Sequence, residues 1–318
     1  MMDLITYQEQ FTADYSLGKW KGMTLLSGGF ANKNFKLVTE NGVYLYRLVM
    51  QKRAEELEEE LEYLLYLKEH NFQAAFPVPK KDGTFINQLN DGTLVVLYDF
   101  LDGEEPEPNP FTASEIGKAA GQLNALSSEK WIERKNDLSL KKCSDLISRF
   151  ISTDNRLKAV LDQFTIETEI LSDRLRNTDL PTGIVHGDLY PDNTIFQGNK
   201  LIGILDFEEF CTDTLLFDVG NAIQGFCYPG KDLSSGCLSA LLQAYHRQRP
   251  LNGDEIEMVP WYIRWGALAQ VSWHLRYGLL SQFNDRQFNR VKELMGRITQ
   301  LRKAMGMLER EVKISIKA

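Results

Sequence analysis

The sequence has few of the residues and runs that mark several classes of protein. Its four cysteines, Cys143, Cys211, Cys227 and Cys237, form no C-x-x-C pair, and its four histidines are scattered. This spacing predicts neither a zinc site nor a disulfide framework. No apolar run approaches the length of a membrane span, and the N-terminus lacks the basic region and apolar core of a signal peptide. We therefore expect a cytoplasmic protein with no membrane partner.

The charge balance is acidic and shows no basic block. Thirty-six Lys and Arg residues against 44 Asp and Glu residues give a net charge of -8. A basic patch is the electrostatic requirement for binding nucleic acid, so we expect no nucleic-acid partner. With 43% hydrophobic and 25% charged residues over 318 positions, the composition is that of a soluble globular protein with one large domain or two ordinary ones.

The most informative stretch runs from His186 to Asp206. It begins with the pattern H-x-D-x-x-x-x-N, which places Asp188 and Asn193 at a fixed spacing, and a second carboxylate, Asp206, follows. Kinase catalytic loops use this spacing for a base Asp and a metal-binding Asn, and a later Asp completes the metal site. The stretch therefore predicts a phosphoryl-transfer centre with Asp188 as the base and with Asn193 and Asp206 as metal ligands.

A predicted hairpin gives this spacing a physical reason. Gly198 and Asn199 separate two apolar runs, which is a signal for two antiparallel strands joined by a tight turn. In that register Asn193 lies opposite Ile204, and strand alternation returns Asp206 to the same face. One amide and one carboxylate suit Mg²⁺ that also binds nucleotide phosphates and water, rather than a cage built from protein ligands alone.

The N-terminal region predicts a three-stranded antiparallel meander within residues 23–49. The turn between its first two strands carries Gly28 and Gly29, whose backbone N–H groups can lie over phosphates, as they do in glycine-rich kinase loops. Two adjacent glycines also occur in plain hairpin turns. The catalytic loop favours the phosphate-binding interpretation.

Arg47 lies inside the third predicted strand, among apolar residues that predict partial burial. A half-buried guanidinium needs a partner. The next element, residues 52–70, has apolar residues at helical spacing, and Glu60 falls within its apolar arc. The sequence therefore predicts an Arg47–Glu60 pair that orients the nucleotide phosphates, in place of the Lys–Glu pair of protein kinases.

A buried strand at residues 94–100 leads into an acidic, proline-containing segment at residues 102–110. We interpret this junction as a hinge between two lobes, where Asp99 and Leu101 contact adenine through their main chain. The predicted division is a nucleotide-binding lobe at residues 1–101 and a helical catalytic and substrate lobe at residues 102–318.

The second lobe is predicted to be mostly helical, interrupted only by the catalytic hairpin. Thr112 and Glu115 have the spacing of a capping box, and apolar periodicity predicts one long final helix over residues 286–310. Twelve positions separate Asp206 from Asp218, which leaves no room for the activation segment that seats a peptide in protein kinases, and position 187 is Gly instead of Arg. Both observations oppose a protein kinase.

Three motifs together resemble the aminoglycoside phosphotransferase and choline kinase superfamily. They are residues 186–193, residues 204–207 and Phe217-Asp218, and within the superfamily the chain looks most like the type II homoserine kinases. The resemblance implies an α+β, bilobal protein-kinase-like fold, with a small antiparallel sheet and one main helix in the N-lobe and a larger, mostly helical C-lobe. It also implies ATP and Mg²⁺ as cofactors and a small hydroxylated molecule as the acceptor.

The acceptor is the feature on which the sequence says least. The family commonly has an arginine near position 274, where this chain has His274, and aromatic residues where it has Glu208 and Glu209. Homoserine is the acceptor that the resemblance favours, with Arg264 as the candidate partner for its carboxylate. Glu208 or the adjacent Glu209 could bind its ammonium group, but at most one of them, because adjacent side chains point to different sides; we assign Glu208. Choline or another amino alcohol, an aminoglycoside and a sugar stay open. The intact Asp188, Asn193 and Asp206 oppose a nucleotide-binding pseudokinase.

Overall fold

The structure is a computed structural model that describes residues 13–26, 32–50, 52–126, 132–150, 155–176, 178–280 and 283–317. The chain divides into two compact units. The first comprises Met1–Gly103 with Ile202–Leu205, and the second comprises Glu104–Leu201 with Asp206–Ala318. The functional division predicted at residues 1–101 and 102–318 stays a prediction.

The first unit is built on a five-stranded antiparallel sheet with the strand order β1-β2-β3-β5-β4. The predicted meander and the strand at residues 94–100 are confirmed, and the short β4 was not foreseen. The elements are β1 Trp20–Leu25, β2 Lys33–Thr39, β3 Val43–Val49, α1 Ala54–Glu69, β4 Ile86–Gln88 and β5 Leu94–Asp99.

Apolar side chains on one face of this sheet and on one stripe of α1 form the buried parts of the first unit. Leu37, Leu48 and Leu97 belong to one apolar cluster of the sheet. Leu57 and Leu61, one helical turn apart on α1, are also buried. Burying such a side chain stabilises a protein by about 1.5–3 kcal/mol, so the sheet face and the α1 stripe both contribute to the stability of this unit.

The second unit is mainly helical, as the resemblance implies. Its helices are α2 Pro110–Leu126, α3 Leu140–Ile147, α4 Asn155–Leu175, α5 Leu216–Phe226, α6 Ser235–Gln248, α7 Gly253–Trp273, α8 Asp285–Lys303 and α9 Met305–Lys317, and a π-helix at His274–Leu279 directly follows α7. Two predictions about these helices were wrong. The final helix is not continuous: α8 ends at Lys303, and a separate helix, α9, begins at Met305 after Ala304. Helix α2 begins at Pro110, and Asn109 caps it by accepting the N–H groups of Phe111 and Thr112.

Short strands flank the predicted catalytic loop and fix both of its ends. They are β6 Thr182–Val185, β7 Thr194–Gln197, β8 Lys200–Ile204 and β9 Cys211–Thr214. β7 and β8 form the predicted hairpin around Gly198 and Asn199, which is confirmed. The expectation that this hairpin alone interrupts the helices was wrong, because β6 and β9 pair antiparallel with Val185 opposite Cys211. That pairing holds the residue before His186 close to the chain that leaves the loop.

The end of β8 pairs within the first unit. Ile204 donates its N–H to the carbonyl of Gln73 at 3.0 Å, and its own carbonyl accepts the N–H of Ala75 at 3.2 Å. A side chain at Gly203 would collide with Leu101, since the added Cβ would lie 2.6 Å from a Leu101 methyl carbon. Backbone pairing therefore assigns residues 202–205 to the first unit, although they are separated from it in sequence.

Two glycines let α5 and α7 approach closely. A Cβ at Gly220 would lie 2.2 Å from the carbonyl oxygen of Tyr262, and one at Gly266 would lie 2.8 Å from the carbonyl group of Gly220. This crossing fixes Asp218 on α5 relative to Gln270 on α7, and both residues bind the catalytic loop. Among the helices of the described ranges, none is long and apolar enough to cross a membrane.

Candidate active site

The side chain of Asp188 is held by two amides. Gln270 donates from Nε2 to Oδ1 at 3.0 Å, and Asn193 donates from Nδ2 to Oδ2 at 2.8 Å. The same Asn193 amide also donates to the backbone carbonyl of Asp188 at 2.9 Å. Two donors from different elements fix both carboxylate oxygens, which is the preorganisation that a general base requires.

Asp188 also lies among other carboxylates. Burial, together with the charges of Asp192, Glu209 and Asp206, raises its pKa to about 7, and the Asn193 hydrogen bond partly opposes this rise. Four acidic side chains that repel one another form a site that favours a cation. A bound cation would lower this pKa and keep Asp188 ionised.

The candidate metal ligands suit a hard cation. Because the amide nitrogen of Asn193 donates to Asp188, its Oδ1 oxygen remains as a ligand. Asp206 adopts left-handed backbone angles, φ 57° and ψ 68°, which are uncommon for a residue with a Cβ and are typical of functional turns. In the described part of the chain, no three His, Cys, Asp or Glu side chains are arranged to hold a metal alone. The donor set therefore fits Mg²⁺ that completes its shell with phosphate oxygens and water.

A buried carboxylate braces the backbone of the catalytic loop. Asp218 accepts the N–H groups of His186 at 2.9 Å and Gly187 at 3.0 Å. Gly187 has φ 85°, and a Cβ there would lie 2.4 Å from the carbonyl oxygen of Glu209, so the position requires glycine. His186 accepts the N–H of Asp188 through Nδ1 at 3.2 Å. Its ring packs against Phe207, with the two ring centroids 4.6 Å apart. These contacts give His186 and Asp218 bracing roles.

A chain of hydrogen bonds extends from this brace through the helical core. Asn124 on α2 donates to Asp218 at 3.3 Å and accepts from the hydroxyl of Tyr245 on α6 at 2.9 Å. Arg249 donates to the same hydroxyl at 3.2 Å and to the carboxylate of Glu255 at 2.7 Å. We call these four residues and Asp218 the loop-support network. Its backbone contacts at His186 and Gly187 connect α2, α5 and α6 to the catalytic loop.

In the first unit, the predicted Arg47–Glu60 pair was wrong. Glu60 forms its ion pair with Lys52, and both side chains are almost fully buried. Arg47 instead donates from Nε to Asn34 on the adjacent strand at 3.0 Å. Asn34 is directly opposite Arg47 in the β2–β3 register, so strand pairing supplies the closer partner. Lys52, just before α1, is thus the candidate phosphate-orienting cation that the sequence reasoning missed.

The other predicted nucleotide contacts are only partly described. Gly28 and Gly29 lie outside the described residues. Asp99 donates its backbone N–H to the carbonyl of Phe76 at 2.9 Å. Leu101 lies against Gly203. Contacts of Asp99 and Leu101 with adenine stay a prediction.

The structure does not support either predicted acceptor residue. Arg264 is 1% exposed and binds Glu167 of α4 through two nitrogens, at 2.8 Å and 2.5 Å. That buried ion pair satisfies its charge inside the helical core, so the prediction that it binds substrate was wrong. Glu208 is held through its backbone carbonyl by Arg134. Of the two adjacent glutamates, Glu209 is the one whose charge acts on Asp188.

Gln270 is the other site residue that the sequence reasoning missed. It lies on α7, 82 positions from Asp188, and no local pattern marks it. A glutamine within an apolar helix is a weak signal for a functional site, since buried glutamines also occur in protein cores with their amide groups hydrogen-bonded to other core residues.

Comparisons with known proteins show which family this chain resembles. The model of a family described as "Phosphotransferase enzyme family" matches residues 22–256. A homoserine kinase of Rhizobium meliloti is 30% identical over 266 residues, which covers 81% of this chain and 80% of that protein. A homoserine kinase of a Bradyrhizobium species is 29% identical over 262 residues, with the same coverage of each chain.

A solved structure of another kinase has a fold similar to that of this chain. An amicoumacin kinase in complex with AMP-PNP, Ca²⁺ and Ami superposes with a TM-score of 0.75 at 14% identity, over 93% of each chain. At that identity the similarity concerns the fold, and it confirms the predicted α+β kinase-like architecture. The chain therefore belongs to the phosphotransferase enzyme family and transfers a phosphoryl group to a hydroxyl of a small molecule.

Proposed function

We propose that this chain is a kinase that uses ATP and Mg²⁺ to phosphorylate the hydroxyl of homoserine. The proposal depends most on one observation, the Asp188 carboxylate fixed by Gln270 and Asn193 beside Asp206. The relatives named homoserine kinase, which align with four fifths of the chain, support the choice of acceptor.

In the proposed reaction Asp188 accepts the proton of the acceptor hydroxyl while that oxygen forms a bond to the γ-phosphorus of ATP. The bond between the γ-phosphorus and the β–γ bridging oxygen breaks, and ADP leaves. Gln270 and Asn193 keep the two Asp188 oxygens in place throughout. Such reactions need little covalent chemistry from the protein, so positioning and charge neutralisation account for most of the catalysis.

Asn193 and Asp206 are the proposed ligands of the metal. When bound, Mg²⁺ supplies neutralisation of the charge on the phosphate oxygens. The chain's own contribution is to present the Asn193 Oδ1 atom and the Asp206 carboxylate without further protein ligands, which leaves coordination positions for nucleotide and water.

We assign nucleotide binding to groups of the first unit. Lys52, held by Glu60, takes the role first predicted for Arg47 and binds phosphate oxygens. A lysine beside a buried glutamate is the arrangement that protein kinases use for this purpose. The glycine pair Gly28 and Gly29, together with the main chain at Asp99 and Leu101, remains our proposal for further nucleotide contacts.

Glu209 replaces Glu208 as the proposed partner of the acceptor's ammonium group. Its charge raises the pKa of Asp188, which indicates that the two carboxylates are near each other. In homoserine the ammonium and the hydroxyl are separated by three carbon atoms, so a base for one and a carboxylate for the other must lie close together. The Glu209 carboxylate meets that requirement.

A panel of acceptors tests the proposed function. ADP release is measured with ATP and Mg²⁺ and with homoserine, serine, choline, ethanolamine, a sugar or an aminoglycoside as acceptor. We expect homoserine to give the highest kcat/KM. A higher value for any other acceptor would reject homoserine while leaving the phosphotransferase chemistry in place.

A further inference from the structure

Two late helices, α7 and α8, meet near the residue that holds the proposed catalytic base. Gln270, which donates to Asp188, is followed one turn later by His274, where α7 becomes the π-helix. The Nδ1 atom of His274 lies 2.5 Å from Oε1 of Gln287 on α8. This contact joins α8 to the end of the helix that carries Gln270. π-helical turns are rare and occur frequently at functional sites.

Arg290 lies on the same face of α8 as Gln287, because residues three positions apart on a helix are neighbours. Its side chain is half-exposed, with 37% of its surface accessible. Its positive charge contributes, after burial, to the lowered pKa of His274. The guanidinium is therefore within electrostatic reach of His274, which lies one helical turn from the residue that binds Asp188.

The charge of Arg290 is only partly neutralised. Its Nη1 atom lies 2.8 Å from Oε1 of Glu293, and Nη2 of Arg297 lies 2.8 Å from the same oxygen. One carboxylate therefore serves two guanidinium groups. Arg297 is buried and also donates to the carbonyl of Gln224, whereas the side chain of Arg290 is partly exposed.

Three other arginines of this unit bind partners within the protein. Arg264 is paired with Glu167 in the core, and Arg276 donates to the carbonyl of Asp137. Arg134 donates to the carbonyl of Glu208. A guanidinium matches a carboxylate in charge and in the geometry of two parallel hydrogen bonds, so an accessible arginine beside the acceptor is a suitable carboxylate partner.

We propose that Arg290 binds the carboxylate of the acceptor and so makes the enzyme selective for an amino-acid alcohol over the corresponding amine. The inference rests on the proposed homoserine kinase activity and extends it. The acceptor then has its hydroxyl at Asp188, its ammonium group toward Glu209 and its carboxylate toward α8.

Two acceptors and two variants test this proposal. Homoserine is compared with the linear aminopropanol that equals homoserine without its carboxylate. Arg290→Gln removes the proposed carboxylate partner, and Arg302→Gln removes the same charge from an exposed position near the other end of α8. We expect Arg290→Gln to raise the KM for homoserine at least about tenfold. The KM for ATP and the kcat/KM for the aminopropanol should stay within about twofold of wild type, and Arg302→Gln should behave as wild type.

Each alternative outcome rejects a defined part of the account. Equal homoserine KM values in Arg290→Gln and Arg302→Gln would overturn the role of Arg290 and leave the homoserine kinase activity standing. A wild-type enzyme that phosphorylates the aminopropanol but not homoserine would overturn both.

A third variant excludes an indirect effect through the ion pair. Glu293→Gln removes the carboxylate that Arg290 and Arg297 share but retains the guanidinium. We expect its homoserine KM to stay within about threefold of wild type, because the substrate partner is intact. If Glu293→Gln raised the KM as much as Arg290→Gln, the helix geometry would be responsible and the proposal would be wrong.

Discussion

At the residue scale, the reaction depends on how the Asp188 carboxylate is held and charged. Gln270 and Asn193 fix its orientation, and burial with three neighbouring carboxylates raises its pKa to about 7. In the absence of a cation, this environment favours the protonated form of the proposed base. A metal bound among these carboxylates would reverse the shift, so the proposed metal ligands would also control the base.

The first prediction concerns Asp206. Asp206→Asn keeps the size of the side chain but removes a charged ligand, so we expect the Mg²⁺ concentration for half-maximal activity to rise at least about tenfold. Initial rates measured over a Mg²⁺ titration check this result. An unchanged Mg²⁺ dependence would show that Asp206 is not a ligand.

The second prediction concerns the Lys52–Glu60 pair. Lys52→Gln should raise the KM for ATP about tenfold, and it should also destabilise the fold because Glu60 is left buried without its partner. The double variant Lys52→Gln with Glu60→Gln removes that buried charge. It should recover most of the lost stability while the KM for ATP stays high.

Thermal unfolding and ATP titrations of both variants separate the two effects. Arg53→Gln, which alters the adjacent and exposed arginine, serves as the control. Recovery of the ATP KM in the double variant would mean that Lys52 acts through stability alone.

The sequence was sufficient to identify candidate site residues where these lie at a characteristic local spacing. Asp188, Asn193 and Asp206 occupy one loop and one hairpin, so a pattern in the sequence identifies them as candidates. Partners far apart in sequence escaped this reasoning: Glu167 is 97 positions from Arg264, and Gln270 is 82 positions from Asp188. Such pairs are set by helix packing, which no local period encodes.

At the scale of elements, the helical core supports the catalytic loop through named hydrogen bonds. The loop-support network links α2, α5 and α6 to the backbone of His186 and Gly187. A buried polar network of this kind is stabilising when every member is satisfied and costly when one is not.

The third prediction removes one hydroxyl from this network. Tyr245→Phe leaves the side-chain carbonyl of Asn124 without this hydrogen bond and removes one of the two acceptors of Arg249, which keeps Glu255. We therefore expect a loss of about 1–3 kcal/mol in the free energy of unfolding. We also expect kcat to fall several-fold with little change in KM for ATP, because the loop that carries Asp188 loses support.

Tyr262→Phe is the matched control for Tyr245→Phe. Tyr262 is another buried tyrosine of the same unit, and its side chain is hydrogen-bonded to Thr214 on β9. Denaturant unfolding and steady-state kinetics of the two variants give the comparison. Equal decreases in kcat would indicate a general packing effect and argue against transmission through the network.

Elements with a strong local signal were predicted well. The Gly198-Asn199 turn and the apolar stripe of α1 each lie within one short segment. The β6–β9 pair was missed because each strand has four residues and its partner lies about 30 positions away. Helix α8 was predicted to continue through Ala304 because apolar periodicity runs across the break, and Gly306 alone is a weak signal for ending a helix.

At the scale of the whole molecule, the proposed functional groups belong to two compact units. The first supplies the proposed nucleotide-binding groups, Lys52 with Glu60. The second supplies the proposed base, the proposed metal ligands and the proposed acceptor site. The family match ends at residue 256, before Gln270 and Arg290 on the late helices, and includes the other proposed site residues. Acceptor recognition is therefore the part of the account that most needs direct measurement.

The most direct test of the central claim follows the phosphoryl group itself. Wild type and Asp188→Asn are incubated with ATP, Mg²⁺ and homoserine, and the phosphorus NMR signals of ADP and of the new phosphate ester are measured together. We predict one ester formed per ADP in wild type, and a rate about 10² to 10⁴ lower in Asp188→Asn with unchanged ATP binding. ADP formed without ester, or turnover of Asp188→Asn within a few-fold of wild type, would contradict the account.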